Sequence, residues 1–128
     1  MDREALLEPI IRSIREGTNM SRYDVLKIID GWEVVPGYLD GKHVCTTIIK
    51  GTEVHFAIVP EHRKQVILKG RAQKYLEPLF DRLGFLTTRV PHGATTKQKF
   101  VQRIGFKPTW TDANFQYYLL GQLPFARS

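Results

Sequence analysis

At 128 residues and 14.8 kDa the chain is one domain's worth of material, able to bury about 65–70% of its unfolded surface in a single core. With 42% hydrophobic and 25% charged residues, the composition excludes a disordered or fibrous chain. The net charge is +6 and lopsided: residues 1–62 balance to −3 and residues 63–128 to +9. The basic half predicts an anionic partner, whether a phosphorylated cofactor, nucleic acid or an acidic protein surface. One cysteine, Cys45, excludes an internal disulfide framework and a Cys-based zinc site. His43, His55, His62 and His92 lack metal-ligand spacing, so no metal is expected. No apolar run reaches the ~20 residues of a membrane span. The acidic opening Asp2-Arg3-Glu4 is not that of a signal peptide. These features predict a soluble protein of a reducing compartment.

Leu6, Leu7, Ile10, Ile11 and Ile14 predict a first helix. Pro9 is expected either to start or to kink it, and Gly17 to end it. A second helix is predicted from Ser21, with Asp24 completing a capping box. Its buried side would be Val25, Leu26, Ile28 and Ile29, and Gly31 its stop. The period then changes. Residues 32–39, 43–50 and 53–59 read as an antiparallel meander, with Asp40-Gly41 as its first tight turn. Pro60 ends the third strand.

A basic stretch follows: Arg63, Lys64, Lys69, Gly70, Arg71 and Lys74. Leu76, Leu79, Phe80 and Leu83 mark a helix, with Pro78 inside and Gly84 after it. Residues 85–90 read as a strand. Thr95 or Thr96 is expected to cap a helix running to Ile104, with Phe100, Val101 and Ile104 inward. Residues 106–111 and 115–120 form a closing hairpin. The order is α-α-β-β-β-α-β-α-β-β over one domain, residues 1–128, and implies at least one crossover between parallel strands.

Two phrases in this order resemble the GNAT superfamily of N-acetyltransferases: Val59-Pro60-Glu61-His62-Arg63 and Ile104-Gly105-Phe106. The resemblance implies an α/β fold with a mixed sheet, lacking the family's first strand. It also implies acetyl-CoA as cofactor, its pyrophosphate held at a helix N-terminus. By position, Val59, Arg63, Lys64, Lys69, Gly70 and Arg71 would then be the cofactor-binding residues. Amides at a helix N-terminus and nearby cations attract anions. On the third strand Glu53, with His55 as alternative, would deprotonate an acceptor amine.

The sequence also departs from the family pattern. After Arg63 there is no glycine until Gly70, so backbone approach to phosphate is expected to be impaired. The family's general-acid Tyr falls on Val101 and its Asn on Ala94. Tyr117 and Tyr118 are the remaining phenols near the expected site. Glu8-Pro9-Ile10-Ile11-Arg12, Leu86-Thr87-Thr88-Arg89-Val90 and the run from Phe100 to Trp110 resemble small GNAT-like proteins of short-tailed bacteriophages. That resemblance implies head assembly or a virion component, in host cytoplasm and virion, without acetyltransferase activity. Phage assembly proteins, or DNA through the basic half, would be the partners. The alternative is an acetyl-CoA-dependent N-acyltransferase. Direct nucleic-acid binding has no recognised motif behind it, and along the chain the aromatics do not interleave with the basic residues.

Overall fold

A computed structural model describes residues 2–67 and 71–123, with the Arg71 side chain outside the description. The elements are α1 (Arg3–Glu16), α2 (Arg22–Ile28), β1 (Glu33–Leu39), β2 (Lys42–Lys50), β3 (Glu53–Ile58), a 3-10 turn (Pro60–His62), α3 (Arg63–Ile67), α4 (Arg71–Leu83), β4 (Leu86–Pro91), α5 (Thr95–Ile104), β5 (Lys107–Thr111) and β6 (Phe115–Leu120). They form two compact units, residues 1–71 and 72–128.

In the first unit β2 pairs antiparallel with β1 on one side and β3 on the other. The expected turn is present, with Asp40 at φ 52° and Gly41 at φ 78°. Two consecutive positive φ values are what a two-residue hairpin turn needs. Residues 44–49 of β2 are buried without a break, so this strand is covered on both faces. On one face Ile48 and Ala57 join Leu7, Ile10, Ile11, Val25 and Ile29 from the two helices. Helix α3 also packs against β2, and its Val66 is completely buried.

Helix α1 starts at Arg3, earlier than Pro9, because Asp2 caps it by accepting the Ala5 N–H at 2.8 Å. Pro9 is carried inside the helix and buried. Its lost hydrogen bond is outweighed by the apolar face that α1 buries around it. The Ser21–Asp24 capping box forms with both reciprocal bonds. Only half of the predicted α2 face is buried, however. Val25 and Ile29 are inside, Leu26 is half-buried, and Ile28 is 55% exposed. A helix of seven residues turns one narrow stripe to the core, and Ile28 lies off it.

The basic stretch after Pro60 departs from expectation. It begins with a 3-10 turn and a short helix, Arg63–Ile67, where the spacing predicted no helix. The cause is Val66, which reaches β2 from a helical backbone. The long helix α4 then begins at Arg71, five residues before the first apolar residue expected on it. It buries Ala72, Leu76 and Leu79.

In the second unit β6 lies between β4 and β5 and is antiparallel to both. β4 and β5 are therefore parallel, joined by α5 as the predicted crossover. No threonine side chain caps α5. Ala94 stands at the N-cap, and Gln98 instead donates to the Pro91 and His92 carbonyls at 3.0 and 2.9 Å. Of the expected inward residues Ile104 is buried, while Phe100 and Val101 are half-buried. Leu86, Val90, Phe106, Tyr118 and Leu120 complete the buried set.

Ile48→Ala should lower the unfolding free energy by about 2–5 kcal/mol, since it opens a cavity in a strand covered on both faces. Ser21→Ala should cost about 1 kcal/mol through the lost cap. Urea denaturation of both variants measures the two losses. Equal losses would contradict the central place given to β2.

Candidate active site

Strand β3 sets Glu53 and His55 two residues apart, and so on one face. Their side chains meet: His55 Nε2 is 2.6 Å from Glu53 Oε2, and both are half-buried. A carboxylate only accepts, so the ring nitrogen donates and the proton sits on Nε2. In the neutral ring Nδ1 is left as the basic nitrogen. The Trp32 ring lies 5.5 Å from the imidazole, tilted by 55°. His55 pairs across the ladder with Ile48, so the dyad stands on the sheet face that carries α1 and α2.

A second polar group lies at the far end of β3. Thr46 donates to the Leu6 carbonyl at 2.5 Å. Its hydroxyl hydrogen is thereby committed, and His43 Nε2, 2.7 Å away, must donate to it. Burial lowers the His43 pKa below the ordinary imidazole value. A hydrogen bond with the Cys45 backbone opposes this, and the charge of His62 adds to it. His43 lines an open depression of about 450 Å³ with Glu8, Pro9 and Arg12 of α1 and with Val59, Pro60 and Glu61. Cys45 is buried, and burial pushes its thiol up to about 12. Cys45 thus behaves as a small buried hydrophobe.

The expected cofactor residues are distributed differently from the sequence reading. Val59 donates to the Val44 carbonyl at 2.8 Å and is tied into the sheet. The amides of His62 and Arg63 bond back to Val59 and Pro60. Arg63 and Lys64 are exposed on α3. No open loop of amides therefore follows Arg63, and the missing glycines at residues 64–67 have no bearing on phosphate approach. Lys69 and Gly70 lie outside the described residues. Arg71 heads the 13-residue helix α4. A helix long enough to attract an anion thus begins directly after Lys69-Gly70 in sequence, rather than after Arg63.

The two tyrosines differ from each other. Tyr118 is buried and its hydroxyl lies 3.4 Å from Gln98 and Gln102 of α5. Tyr117 donates to Asp112 at 2.9 Å and stacks on Trp110. Both phenols are held within the second unit by these partners. Among the described residues no cluster of metal-ligating side chains is present, and no helix is long and apolar enough to cross a membrane.

No family model and no curated protein matches the sequence. Solved structures do resemble it. A ribosomal-protein-alanine N-acetyltransferase from Brucella melitensis is 12% identical, with a TM-score of 0.62 over 91% of this chain and 92% of its own. PH1933 from Pyrococcus horikoshii is 14% identical, with a TM-score of 0.64 over 95% and 93%. Mutant forms of the spermidine/spermine N-acetyltransferase SpeG from Vibrio cholerae are 10% identical, with a TM-score of 0.59 over 94% and 90%. The chain has a GNAT-like fold. It is an α/β fold with a mixed sheet and flanking helices, as the two phrases in the sequence implied. None of these three structures is of a phage head or virion protein.

The depressed His43 pKa has a defined effect on stability. The unfolded chain binds a proton at His43 more readily than the folded one. The contribution is therefore complete above about pH 6.5 and is lost as the pH falls below it. His43→Gln keeps a donor for Thr46 but does not titrate. The stability advantage of the wild type over this variant should shrink between pH 7.5 and pH 5.5 in urea titrations. A constant difference would remove His43 from the account.

Proposed function

We propose that this chain is an acetyl-CoA-dependent N-acyltransferase. The observation that carries the proposal is the Glu53–His55 pair, 2.6 Å apart on a half-exposed stretch of β3 in a GNAT-like fold. In this reading His55 takes the proton of the acceptor amine at Nδ1. Glu53 holds the ring in that tautomer and stabilises the imidazolium that forms. The cofactor chemistry is transfer of an acyl group from a thioester. Lys69, Gly70 and Arg71 would meet its pyrophosphate at the start of α4, a donor set of amides and cations suited to that anion. Arg63, Lys64 and Val59 stand nearby in sequence and take a supporting place. The likeness to N-acetyltransferase structures across more than nine-tenths of the chain supports this reading.

One observation favours a second reading. Val101 occupies the place of the family's general-acid Tyr, and both neighbouring phenols have partners of their own. A GNAT-fold protein without catalysis would then serve a short-tailed phage in head assembly or inside the virion, moving from host cytoplasm to particle. Its basic second half would meet acidic assembly partners or DNA. Mass spectrometry of purified virions tests this reading, and particles that lack the protein would dismiss it.

Calorimetric titration with acetyl-CoA separates the two. The first reading expects saturable binding below about 1 mM, weakened roughly tenfold by Arg71→Ala. Glu53→Gln should then lower turnover by about 100-fold while leaving cofactor affinity intact. No heat of binding, or full turnover in Glu53→Gln, would defeat it.

A further inference from the structure

The second unit presents a surface that the acyl-transfer reading does not use. On β6, Tyr118 and Leu120 are buried, so Phe115, Tyr117 and Leu119 face the other way. Arg89 of β4 is paired with Tyr117 across the ladder and shares that face. Lys107 of β5 shares it too, opposite Leu119. Simple alternation from Lys107 would turn Trp110 to the opposite side. The register shift between Pro108 and Thr111 sets two residues, Thr109 and Trp110, against Tyr117 alone. Such a bulge re-aims a side chain, and here it brings Trp110 over.

The result is a row of Arg89, Tyr117 and Trp110 across three strands. Trp110 lies flat on Tyr117, with centroids 4.0 Å apart and planes 3° apart. It is nevertheless 57% exposed, so the other side of the indole is open. Arg89 sits 4.7 Å over the Phe115 ring, which meets Tyr117 edge-on at 6.3 Å. Residues 86–123 contain Arg89, Lys97, Lys99, Arg103 and Lys107 against a single acid, Asp112. That carboxylate accepts from the Asn114 and Phe115 amides at 2.8 and 2.7 Å and from the Tyr117 hydroxyl. These bonds hold its pKa below the usual carboxylate range. Its charge is thus engaged inside the hairpin, and the same bonds fix the Tyr117 ring before any ligand arrives.

We propose that this sheet face binds single-stranded nucleic acid, with a base stacking on the open side of Trp110 and phosphates meeting Arg89 and Lys107. Aromatic planes set among cations on a sheet suit bases and backbone together. An acidic peptide would satisfy the cations but has no need of a rigid, open indole plane. The inference holds whether or not the chain transfers acyl groups.

Fluorescence anisotropy of the full chain with a labelled oligothymidylate of about 20 nucleotides tests it. Binding is expected at about 50 mM salt and should weaken several-fold by about 200 mM. Trp110→Ala should weaken it at least about fivefold, while Trp110→Phe keeps most of the affinity. Combined Arg89→Gln and Lys107→Gln should flatten the salt dependence. If circular dichroism shows that Trp110→Ala disturbs the strand, Trp110→Thr carries the same comparison with a good strand former. No binding at low salt would overturn the proposal, as would binding indifferent to Trp110. Poly-glutamate competing as well as unlabelled oligothymidylate would assign the face to an acidic polypeptide and overturn it too.

Discussion

The first unit depends on a single strand that has no solvent-facing side. Residues 44–49 of β2 are buried in sequence, so both its faces must be covered and its polar groups satisfied internally. Thr46 meets the second demand by donating to the Leu6 carbonyl, which fastens α1 to the sheet. Ile48 meets the first by joining the α1 and α2 side chains. Helix α3 packs against the same strand and carries the buried Val66. The position of β3, and therefore of Glu53 and His55, follows from its register with this strand.

That arrangement changes what the basic stretch can do. Residues 64–67 resemble a cofactor turn stripped of its glycines only while they are imagined as a turn. As α3 they serve packing, and the 13-residue helix α4 begins at Arg71. The loss of chemistry implied by the glycine count therefore has no support in the fold. The likeness to solved acetyltransferase structures shows the fold, at 10–12% identity.

Legibility varied with the range of the interactions. The capping box at Ser21 and Asp24, the Asp40-Gly41 turn and the three-strand meander are local, and residue spacing announced them. The strand–helix alternation announced at least one crossover, and the folded sheet shows one between β4 and β5 through α5. Ile28 is exposed although its spacing assigns it to the buried side, because a short helix shows too little of its period to separate core from surface. Thr95 and Thr96 suit a cap by type, but they fall inside α5, Ala94 holds the N-cap position without a side-chain bond, and Gln98 ties the helix to the preceding turn by donating to its carbonyls. The alternation of Glu53 and His55 was visible in sequence, whereas their hydrogen bond required the rotamers that packing beside Trp32 selects.

The charge asymmetry of +9 over residues 63–128 belongs to the sequence alone, as do the element order, the lone cysteine and the resemblance carried by Val59-Pro60-Glu61-His62-Arg63 and Gly105-Phe106. Composition and local periodicity suffice for these because each involves neighbours in the chain. Tertiary structure decided where the charge falls relative to aromatic surface. Trp110 and Tyr117 flank one hairpin, but Arg89 is far from both along the chain. Antiparallel pairing and one bulge place them side by side. A strand register acts between distant segments, and only the folded sheet fixes it.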